Sequence, residues 1–449
     1  MPIIFIPGAG PGIGYNATTF LQLQNELSLR LGDPTQTFWT KAEIILHIQD
    51  AFRFWNCLTG DNKQTFDLPI SSATPWYDLH NVALSPRLCR LTDADIYTRL
   101  QLALLEPPLA NCAMTTMQFS AQDLVSAVQR KRDEFLFRTG CTSTIESLNV
   151  NPGVGTLGLP PTVIQPIRGY WLPQAGLGGQ GGPILRGDEF VNAAYAPSGP
   201  ANPGDPLTFS AGIEPPLVVE FNPPPNIPGK VEFITIESQA VLSAVAPTTL
   251  FIPSDFVPAL TWGALADLLE INLEAKDSSR AEYARKRFEQ YAELIQAYPF
   301  VFGARVNGIP VFVDAVETLD SYNPTWRTGT TPQSIIGLSG QNLVAAVTPV
   351  NAQITLILCA NANVPVNDND PIQAGQEILD CLLDYAQHVA SFKMGGAEFQ
   401  ATLPLLASIV KMAAKRNAKV RALSTFREIL YGKAQREPQF SPLEIVAEA

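Results

Sequence analysis

A block rich in proline and glycine lies in the middle of this 449-residue chain and limits what that part can fold into. Residues 151–250 contain 17 of the 38 prolines and 14 of the 31 glycines. Proline removes helical hydrogen bonds and glycine adds backbone entropy, so long helices are excluded there. Short apolar runs at 217–221 and 231–236 instead predict strands, connected by the stiff sequence PPPNIPG. We therefore expect β structure with long loops, and extended arms that lie along a neighbouring chain.

Helical patterns flank this block. Before it, apolar residues recur at helical spacing from Phe20 to Leu31, and three later helix starts carry a hydroxyl residue followed three positions on by an acidic one. These starts lie at Thr40–Glu43, Thr92–Asp95 and Ser120–Asp123. In such motifs the two side chains accept hydrogen bonds from amides that the first helical turn leaves unpaired. The sequence therefore predicts a small helical domain at residues 17–140.

Two further helical pairs and three short strands are predicted after the block. The helical pairs lie at residues 254–298 and 377–412. The strands lie at residues 311–316, 343–347 and 354–358. The order strand, turn, strand, loop and two helices occurs at 217–298 and again at 343–412. Two copies of one small module would produce this order. Chance recurrence of a common amphipathic pattern would produce it as well, so both interpretations stay open.

The overall charge disfavours one large class of function. The chain has 30 Lys and Arg against 42 Asp and Glu, so its net charge is -12, and a general electrostatic attraction to nucleic acid is not expected. Charged residues make up 16% of the chain, below the roughly 25% typical of soluble proteins, and hydrophobic residues make up 46%. This composition suits a chain that buries several faces against partners.

Neither a membrane segment nor a secretion signal is expected. The N-terminus, MPIIFIPGAGPGIG, lacks the basic residues and the long apolar core of a signal peptide, and no apolar run reaches the roughly 18 residues of a membrane span. The six cysteines include no C-x-x-C pair, which argues against a disulfide scaffold and a structural zinc site. The sequence predicts a protein made in a reducing cytoplasm, without a metal or cofactor.

The motifs that could carry chemistry are weak. The glycines of Gly8–Gly14 follow a strand-like run, but their spacing is not that of a dinucleotide-binding loop, which favours a flexible contact arm. His47 and His388 are predicted on helix faces and His80 in an aromatic loop, so none is favoured as a catalytic base. Asn367–Asp370 lacks the glycine and terminal glutamate of a calcium loop, which favours a solvated turn. We therefore predict no catalytic, cofactor-binding or metal-binding residue.

The C-terminal stretch reverses the charge of the chain. Between residues 411 and 436 there are eight basic residues and one acidic residue, Glu428, which gives a local charge of +7. The basic residues are Lys411, Lys415, Arg416, Lys419, Arg421, Arg427, Lys433 and Arg436. A solvated helical face would explain them. A cationic tail that docks on an acidic partner, or meets nucleic acid, would explain them as well.

The order of motifs in the helical segments resembles the phage head-to-tail connector proteins, also called adaptors. That family opens with a first helix, a Leu-Gly-Asp turn, a capping box of Trp followed by Thr or Ser, and a helix with an Asn-Ala or Asp-Ala pair and an aromatic residue. The residues that match this opening are Thr19–Leu27, Leu31–Asp33, Phe38–Ile44 and Asp50–Trp55. A second similarity, to the return helices of such virion proteins, covers 252–269 and 277–288. The chain is longer than many adaptors and has the proline-rich block, so a larger collar protein is also compatible.

The resemblance implies an α+β fold, in which a helical adaptor-like bundle carries a Pro/Gly-rich β region and two later helical hairpins. The corresponding divisions are an N-terminal arm at 1–16, a helical adaptor-like domain at 17–150, the Pro/Gly-rich β region at 151–250, a helical hairpin at 251–300, a β region at 301–376, and C-terminal helices with a basic tail at 377–449.

The resemblance also implies a non-enzymatic virion protein assembled in the host cytoplasm. It would form a cyclic ring, typically of twelve copies, between the portal protein and tail or collar proteins. DNA would pass through without specific binding, because an acidic lumen repels phosphates. The basic residues would dock on the portal, and deletion of residues 411–449 is predicted to leave a folded protein that no longer joins portal-bearing heads.

Two other functions are compatible with parts of the sequence. A tail, collar or baseplate protein involved in receptor binding or fibre attachment would use the β-rich middle, with Tyr170, Trp171 and Trp326 exposed for glycan binding. An enzyme such as a depolymerase would need an acid-base pair, and the sequence contains no convincing one.

Overall fold

The computed structural model describes most of the chain. The residues described are 4–5, 18–68, 75–80, 89–105, 119–188, 202–212, 216–243, 246–271, 276–297, 301–327, 334–345 and 353–432. The helices are α1 Phe20–Arg30, α2 Lys41–Thr59, α3 Asp93–Leu104, α4 Ala121–Thr139, α5 Val257–Glu270, α6 Ser278–Ala297, α7 Val316–Tyr322, α8 Gln376–Ser391, α9 Gly396–Ala401, α10 Leu403–Arg416, α11 Ala418–Ala422 and α12 Arg427–Tyr431.

The strands form three sheets. In chain order they are β1 Ile4–Phe5, β2 Thr18–Thr19, β3 Lys63–Leu68, β4 Trp76–Asp78, β5 Thr144–Val150, β6 Thr156–Gly158, β7 Val163–Pro173, β8 Gly182–Arg186, β9 Thr208–Ala211, β10 Val218–Asn222, β11 Gly229–Glu237, β12 Val301–Val306, β13 Ile309–Ala315, β14 Ile335–Ser339, β15 Leu343–Ala345, β16 Ile354–Cys359 and β17 Pro371–Gln373. The small sheet has the order β1-β17-β2. The first large sheet has the order β5-β11-β7-β8-β9-β10-β6, and the second has the order β3-β16-β12-β13-β14-β15-β4.

The predicted fold class, a helical adaptor-like bundle with an added β region, is wrong. The protein is mixed α/β, and its two seven-stranded sheets are curled or nearly barrel-shaped. The helix starts at Thr40, Thr92 and Ser120 are correct, because each has the hydrogen bonds of a capping box. The helices that they begin do not form one bundle, since α2 belongs to one compact unit and α3 and α4 to another. A cap fixes where a helix begins, whereas distant residues decide what it packs against.

The chain divides into two compact units, each assembled from separate stretches of sequence. Unit 1 contains Met1–Thr59, Arg285–Ala297 and Asn363–Ala449. Unit 2 contains Gly60–Ala284 and Tyr298–Ala362. The small sheet and most of the C-terminal helices belong to unit 1, and both large sheets belong to unit 2. Among the described residues, no helix has the length and apolarity needed to cross a membrane.

Unit 1 has a helical core in which α2 packs against α8 and α10. Helix α2 buries most of its length, because its apolar residues, including Ile44, Ile48 and Phe54, follow the helical period. The guanidinium of Arg287, from α6, lies 4.4 Å from the ring centre of Phe54 and donates to the hydroxyl of Tyr385 at 2.7 Å. This core therefore includes a buried cation that aromatic rings surround.

Unit 2 has two apolar clusters. One lies within the Pro/Gly-rich sheet and includes Trp171, Phe209 and Phe233. The other combines Tyr170 from the first large sheet with Trp76 from the second, and joins them to α7. The two large sheets therefore share part of their core.

Candidate functional site

The basic stretch predicted from the sequence occupies the last three helices of unit 1. Six of the eight residues are described, and all six are exposed: Lys411, Lys415, Arg416, Lys419, Arg421 and Arg427. The other two, Lys433 and Arg436, lie outside the described residues. We call these six residues the basic surface.

The apolar period of α10 determines where its basic residues point. Ile409, Val410 and Ala413 are buried, and α10 packs through this side against α8. Lys411 and Lys415 fall on the opposite side, four residues apart, so their ammonium groups project from neighbouring turns. Basic residues in the last turn of α10 also interact favourably with the negative end of the helix dipole.

Three members of the basic surface contact other residues of unit 1. The guanidinium of Arg416 lies 5.5 Å from the ring centre of Trp55. The ammonium of Lys419 donates to the carbonyl of Ala297 at 3.3 Å, and the Nε of Arg421 donates to the carbonyl of Ala414 at 2.8 Å. These contacts hold the short helices after α10 against the rest of the unit.

The other three members make no such contact. Lys411, Lys415 and Arg427 form no ion pair or side-chain hydrogen bond with any residue that the structure describes. Two like charges four residues apart on a helix destabilise it by roughly 0.2–0.5 kcal/mol, so Lys411 and Lys415 contribute nothing favourable to their own helix as a pair. These three bases are therefore available to a partner.

A carboxylate that sequence analysis did not identify positions the end of the basic surface. Glu293, on α6, accepts hydrogen bonds from the amide and hydroxyl of Ser424, at 2.7 and 2.9 Å, and from the amide and hydroxyl of Thr425. Partial burial raises the pKa of Glu293, but the hydrogen bonds from Thr425 and Ser424 outweigh it and leave the pKa below its usual value. Because Ser424 and Thr425 belong to the turn that ends at Phe426, immediately before α12, Glu293 anchors the start of the helix that carries Arg427. No local motif links residues so far apart in sequence.

The aromatic residues proposed for glycan binding are inside the protein. Tyr170 and Trp171 are 1% exposed and Trp326 is 0% exposed. Asp320 accepts hydrogen bonds from the Tyr170 hydroxyl at 2.8 Å and the Trp326 indole at 2.7 Å. Burial raises the pKa of Tyr170, and the charge of Asp320 adds to this effect. These side chains therefore stabilise unit 2 and do not form a recognition surface.

The histidines lie in different environments. His388 is fully buried on α8, its Nδ1 lies 2.8 Å from the hydroxyl of Thr402, and its ring stacks on Phe399. Burial, with a smaller effect of the Arg287 charge, lowers the pKa of His388 to about 3. His80 is also buried, whereas His47 is partly exposed on α2. His47 and His388 belong to unit 1, and His80 belongs to unit 2.

The acidic turn at Asn367–Asp370 is held by its own backbone. The carboxylate of Asp370 accepts from the amides of Val366 and Asn367, at 2.9 and 2.7 Å. Asp368 forms an ion pair with Lys41 at 2.7 Å. No group of three or more potential metal ligands occurs within the described ranges of the chain. Of the N-terminal arm, only Ile4–Phe5 is described, and it pairs with β17; the glycines at Gly8–Gly14 lie outside the described residues.

A scan against protein-family models found no match, and a search of curated proteins found no significantly similar sequence.

Proposed function

We propose that this protein is a non-enzymatic structural protein of a tailed bacteriophage virion, a head-to-tail connector that forms a ring, docks on the portal protein and carries the tail. The observation that carries the proposal is the presence of three exposed bases, Lys411, Lys415 and Arg427, that have no partner among the described residues of a chain whose net charge is -12. Against an acidic portal surface, these charges would orient the ring and speed its association. The proposal concerns assembly and partners, since the chain itself is not a helical bundle.

The residues that resemble the connector family support the proposal by their position. The Leu31-Gly32-Asp33 turn follows α1, and Gly32 has a φ of 71°, a left-handed conformation that glycine adopts readily. Hydrogen bonds from the amides of Thr37 and Trp39 lower the pKa of Asp33 to about 2. The turn therefore leads directly to the capping box of α2, in the same unit as the basic surface.

A second surface of unit 1 is consistent with a ring. Arg30 forms ion pairs with Glu26 at 2.8 Å, with Asp380 at 3.0 Å and with Asp384 at 2.9 Å. Three carboxylates around one guanidinium leave this partly exposed surface negative. A cyclic ring requires each copy to present two different faces, and unit 1 has an acidic and a basic one.

An acidic protein is a better partner for the basic surface than DNA. A protein that holds DNA without reading its sequence neutralises several phosphates, and each contact contributes through counterion release. Only three of the described basic residues on this surface lack internal partners, and the chain as a whole is acidic. DNA would therefore pass through the ring without stable binding.

Binding to portal-bearing heads that lack this protein tests the proposal. Deletion of residues 411–449 would also remove Val420 and Phe426, which are fully buried, so substitutions are preferable. The test variant is Lys411→Gln, Lys415→Gln, Arg427→Gln. The matched control is Arg186→Gln, Lys230→Gln, Lys276→Gln, which removes three exposed bases of unit 2.

We expect the test variant to bind heads at least about tenfold more weakly than the wild-type protein, and the control to bind normally. Native mass spectrometry should show the same ring for all three proteins. Equal binding of the test variant and the control would contradict docking through the basic surface. Loss of the ring in the test variant alone would assign the three bases to the contact between copies and would also contradict it.

A further inference from the structure

The turn between β12 and β13 contains the only asparagine-glycine pair in the sequence, Asn307–Gly308. The strands pair directly on either side of it, since Val306 lies opposite Ile309, so the pair forms a two-residue turn. The φ values of Asn307 and Gly308 are 50° and 81°, positive at both positions as a type I′ hairpin turn requires. Both residues are exposed, so water reaches the turn.

An asparagine followed by glycine can react with its own main chain. The amide nitrogen of Gly308 loses its proton to hydroxide and attacks Cγ of Asn307, which closes a five-membered imide. The bond between Cγ and Nδ2 breaks, and the leaving nitrogen takes a proton from water and departs as ammonia. Water then opens the imide at either carbonyl, which gives aspartate or isoaspartate. Glycine favours the attack because it has no side chain to obstruct the nitrogen.

Three features of the turn leave the reacting groups available. The amide of Gly308 donates to no residue that the structure describes. A Cβ built at Gly308 would meet no atom within 4 Å, so the space around the nitrogen is open. The Oδ1 of Asn307 accepts from the amide of Gln353 at 2.8 Å. Such a donor stabilises the negative charge that develops on this oxygen during attack at Cγ.

The backbone conformation of Asn307 nevertheless holds the reacting atoms apart. In the left-handed region ψ is about 47°, which places the next amide nitrogen opposite Cβ about the bond from Cα to the carbonyl carbon. Attack on Cγ therefore needs a rotation of more than about 90° about that bond. The amide of Asn307 also donates to the carbonyl of Gln353 at 2.9 Å. Two hydrogen bonds thus fix Asn307 to the residue before β16, and the turn must open before the reaction.

We propose that Asn307–Gly308 is a site of deamidation and isoaspartate formation, and that the pairing of this turn with Gln353 sets the rate. Water is the only co-reactant. The reaction proceeds through the small fraction of molecules in which the end of the hairpin is open, as for other local opening of a folded protein. The inference goes beyond the proposed function and does not depend on a ring or on portal docking.

The modification changes the hairpin. Isoaspartate routes the main chain through Cβ and Cγ, which adds one carbon to a two-residue turn. Val306 and Ile309 then no longer lie directly opposite each other, because the length and type of the turn fix the register of a hairpin. Both products also replace a neutral amide by a carboxylate. Each modified chain therefore carries one more negative charge and a loosened end of β12 and β13.

Comparison of the folded protein with the same chain in guanidinium chloride tests the proposal. Both samples are incubated at mildly alkaline pH and digested, and mass spectrometry with liquid chromatography measures aspartate and isoaspartate at position 307. The test variant is Gln353→Pro, which removes the amide that donates to Oδ1 of Asn307. The internal control is Asn149, which is exposed on β5 and followed by valine. Circular dichroism confirms that the variant is folded.

We expect the folded wild-type protein to react about 10 to 100 times more slowly than the denatured chain, since only the open turn reacts. Folded Gln353→Pro should react at least about threefold faster than the folded wild type, because the lost hydrogen bond lets the turn open more often. The two denatured chains should react equally, and Asn149 should stay intact. Equal rates in folded and denatured wild-type protein, equal rates in the two folded proteins, or no reaction of the folded protein over about a hundred half-lives of the denatured chain would overturn the proposal.

Discussion

Both units bury a charged side chain among aromatic residues, but this charge is positive in unit 1 and negative in unit 2. In unit 1 the guanidinium of Arg287 lies over the ring of Phe54. In unit 2 the carboxylate of Asp320 accepts from the indole of Trp326, and that of Glu232 accepts from the indole of Trp76. The difference reflects the rings themselves, whose faces attract cations and whose N–H edges donate to anions. Both units therefore use these aromatic residues to hold buried charge, and not to form an external binding surface.

The largest expected effect concerns the buried carboxylate of unit 2. Asp320→Ala removes the ion pair with Arg168, at 2.5 Å, and the hydrogen bonds from Tyr170 and Trp326. Because both donors then stay buried and the guanidinium stays largely buried without this acceptor, we expect a loss of about 3 kcal/mol in the free energy of unfolding. The loss of stability is measured by chemical denaturation, with hydrogen exchange reporting the opening of each unit separately. Unit 2 should open first.

The control for this substitution is Glu220→Ala, which removes an exposed carboxylate from β10 of the same unit. It should change stability by no more than about 0.5 kcal/mol. A similarly small effect of Asp320→Ala would show that this carboxylate does not stabilise the buried positions of Tyr170 and Trp326.

The second prediction concerns pH and should affect unit 1. His388 has a pKa of about 3 in the folded protein, against 6.5 for the unperturbed group. Between these values the unfolded chain binds a proton that the folded chain does not, so stability falls as the pH decreases. At 1.36 kcal/mol per pH unit, unit 1 should lose about 2 kcal/mol between roughly pH 6.5 and 5.

His388→Gln removes this titration and should flatten the dependence of unit 1 stability on pH, whatever its effect at neutral pH. The measurement is the free energy of unfolding by urea at several pH values, resolved by unit with hydrogen exchange. The same slope in the wild-type protein and in His388→Gln would contradict the assignment, since the buried ring would then not be the group that binds the proton.

The smallest expected effect concerns Glu293. Its pKa is lowered in the folded state, so its contribution to stability is present above the unfolded value of 4.5 and is lost as the pH falls through the folded pKa. Glu293→Gln should cost about 1 kcal/mol at neutral pH, at the low end for hydrogen bonds to a charged group because the site is partly exposed. The cost should disappear in acid.

Glu289→Gln, one turn earlier on α6, is the matched control, since Glu289 makes no hydrogen bond or ion pair with a described residue. Thermal unfolding at neutral pH and near pH 3 separates the two variants. If they behave alike at neutral pH, the hydrogen bonds from Ser424 and Thr425 do not stabilise the helix that carries Arg427.

The sequence predicts local structure better than it predicts packing. The caps of α2, α3 and α4 are correct, because each depends on residues three positions apart. Strands β10 and β11 are also correct, but they are not neighbours, since β10 pairs with β6 and β9 while β11 pairs with β5 and β7. The proline-rich connection suggested a simple turn. Which strands pair depends on the closure of the whole sheet, which short patterns do not encode.

The candidate site shows the same limit. The local charge of the C-terminal stretch predicts an exposed basic surface, and all six described residues are exposed. Nothing in the sequence separates Lys411, which has no partner in the part of the chain that the structure describes, from Arg421, which donates to Ala414. Likewise, the residues next to Trp326 in the sequence do not indicate that its indole is buried and donates a hydrogen bond to Asp320. These distinctions depend on contacts between residues that only the folded chain brings together.

We propose that this protein forms a ring whose basic surface contacts the portal. Electron cryomicroscopy of tailed particles that contain it tests this most directly. We expect a closed ring below the portal, with Lys411, Lys415 and Arg427 within ion-pair distance of portal carboxylates. A protein found elsewhere in the particle, or a ring in which these three side chains face solvent, would contradict it.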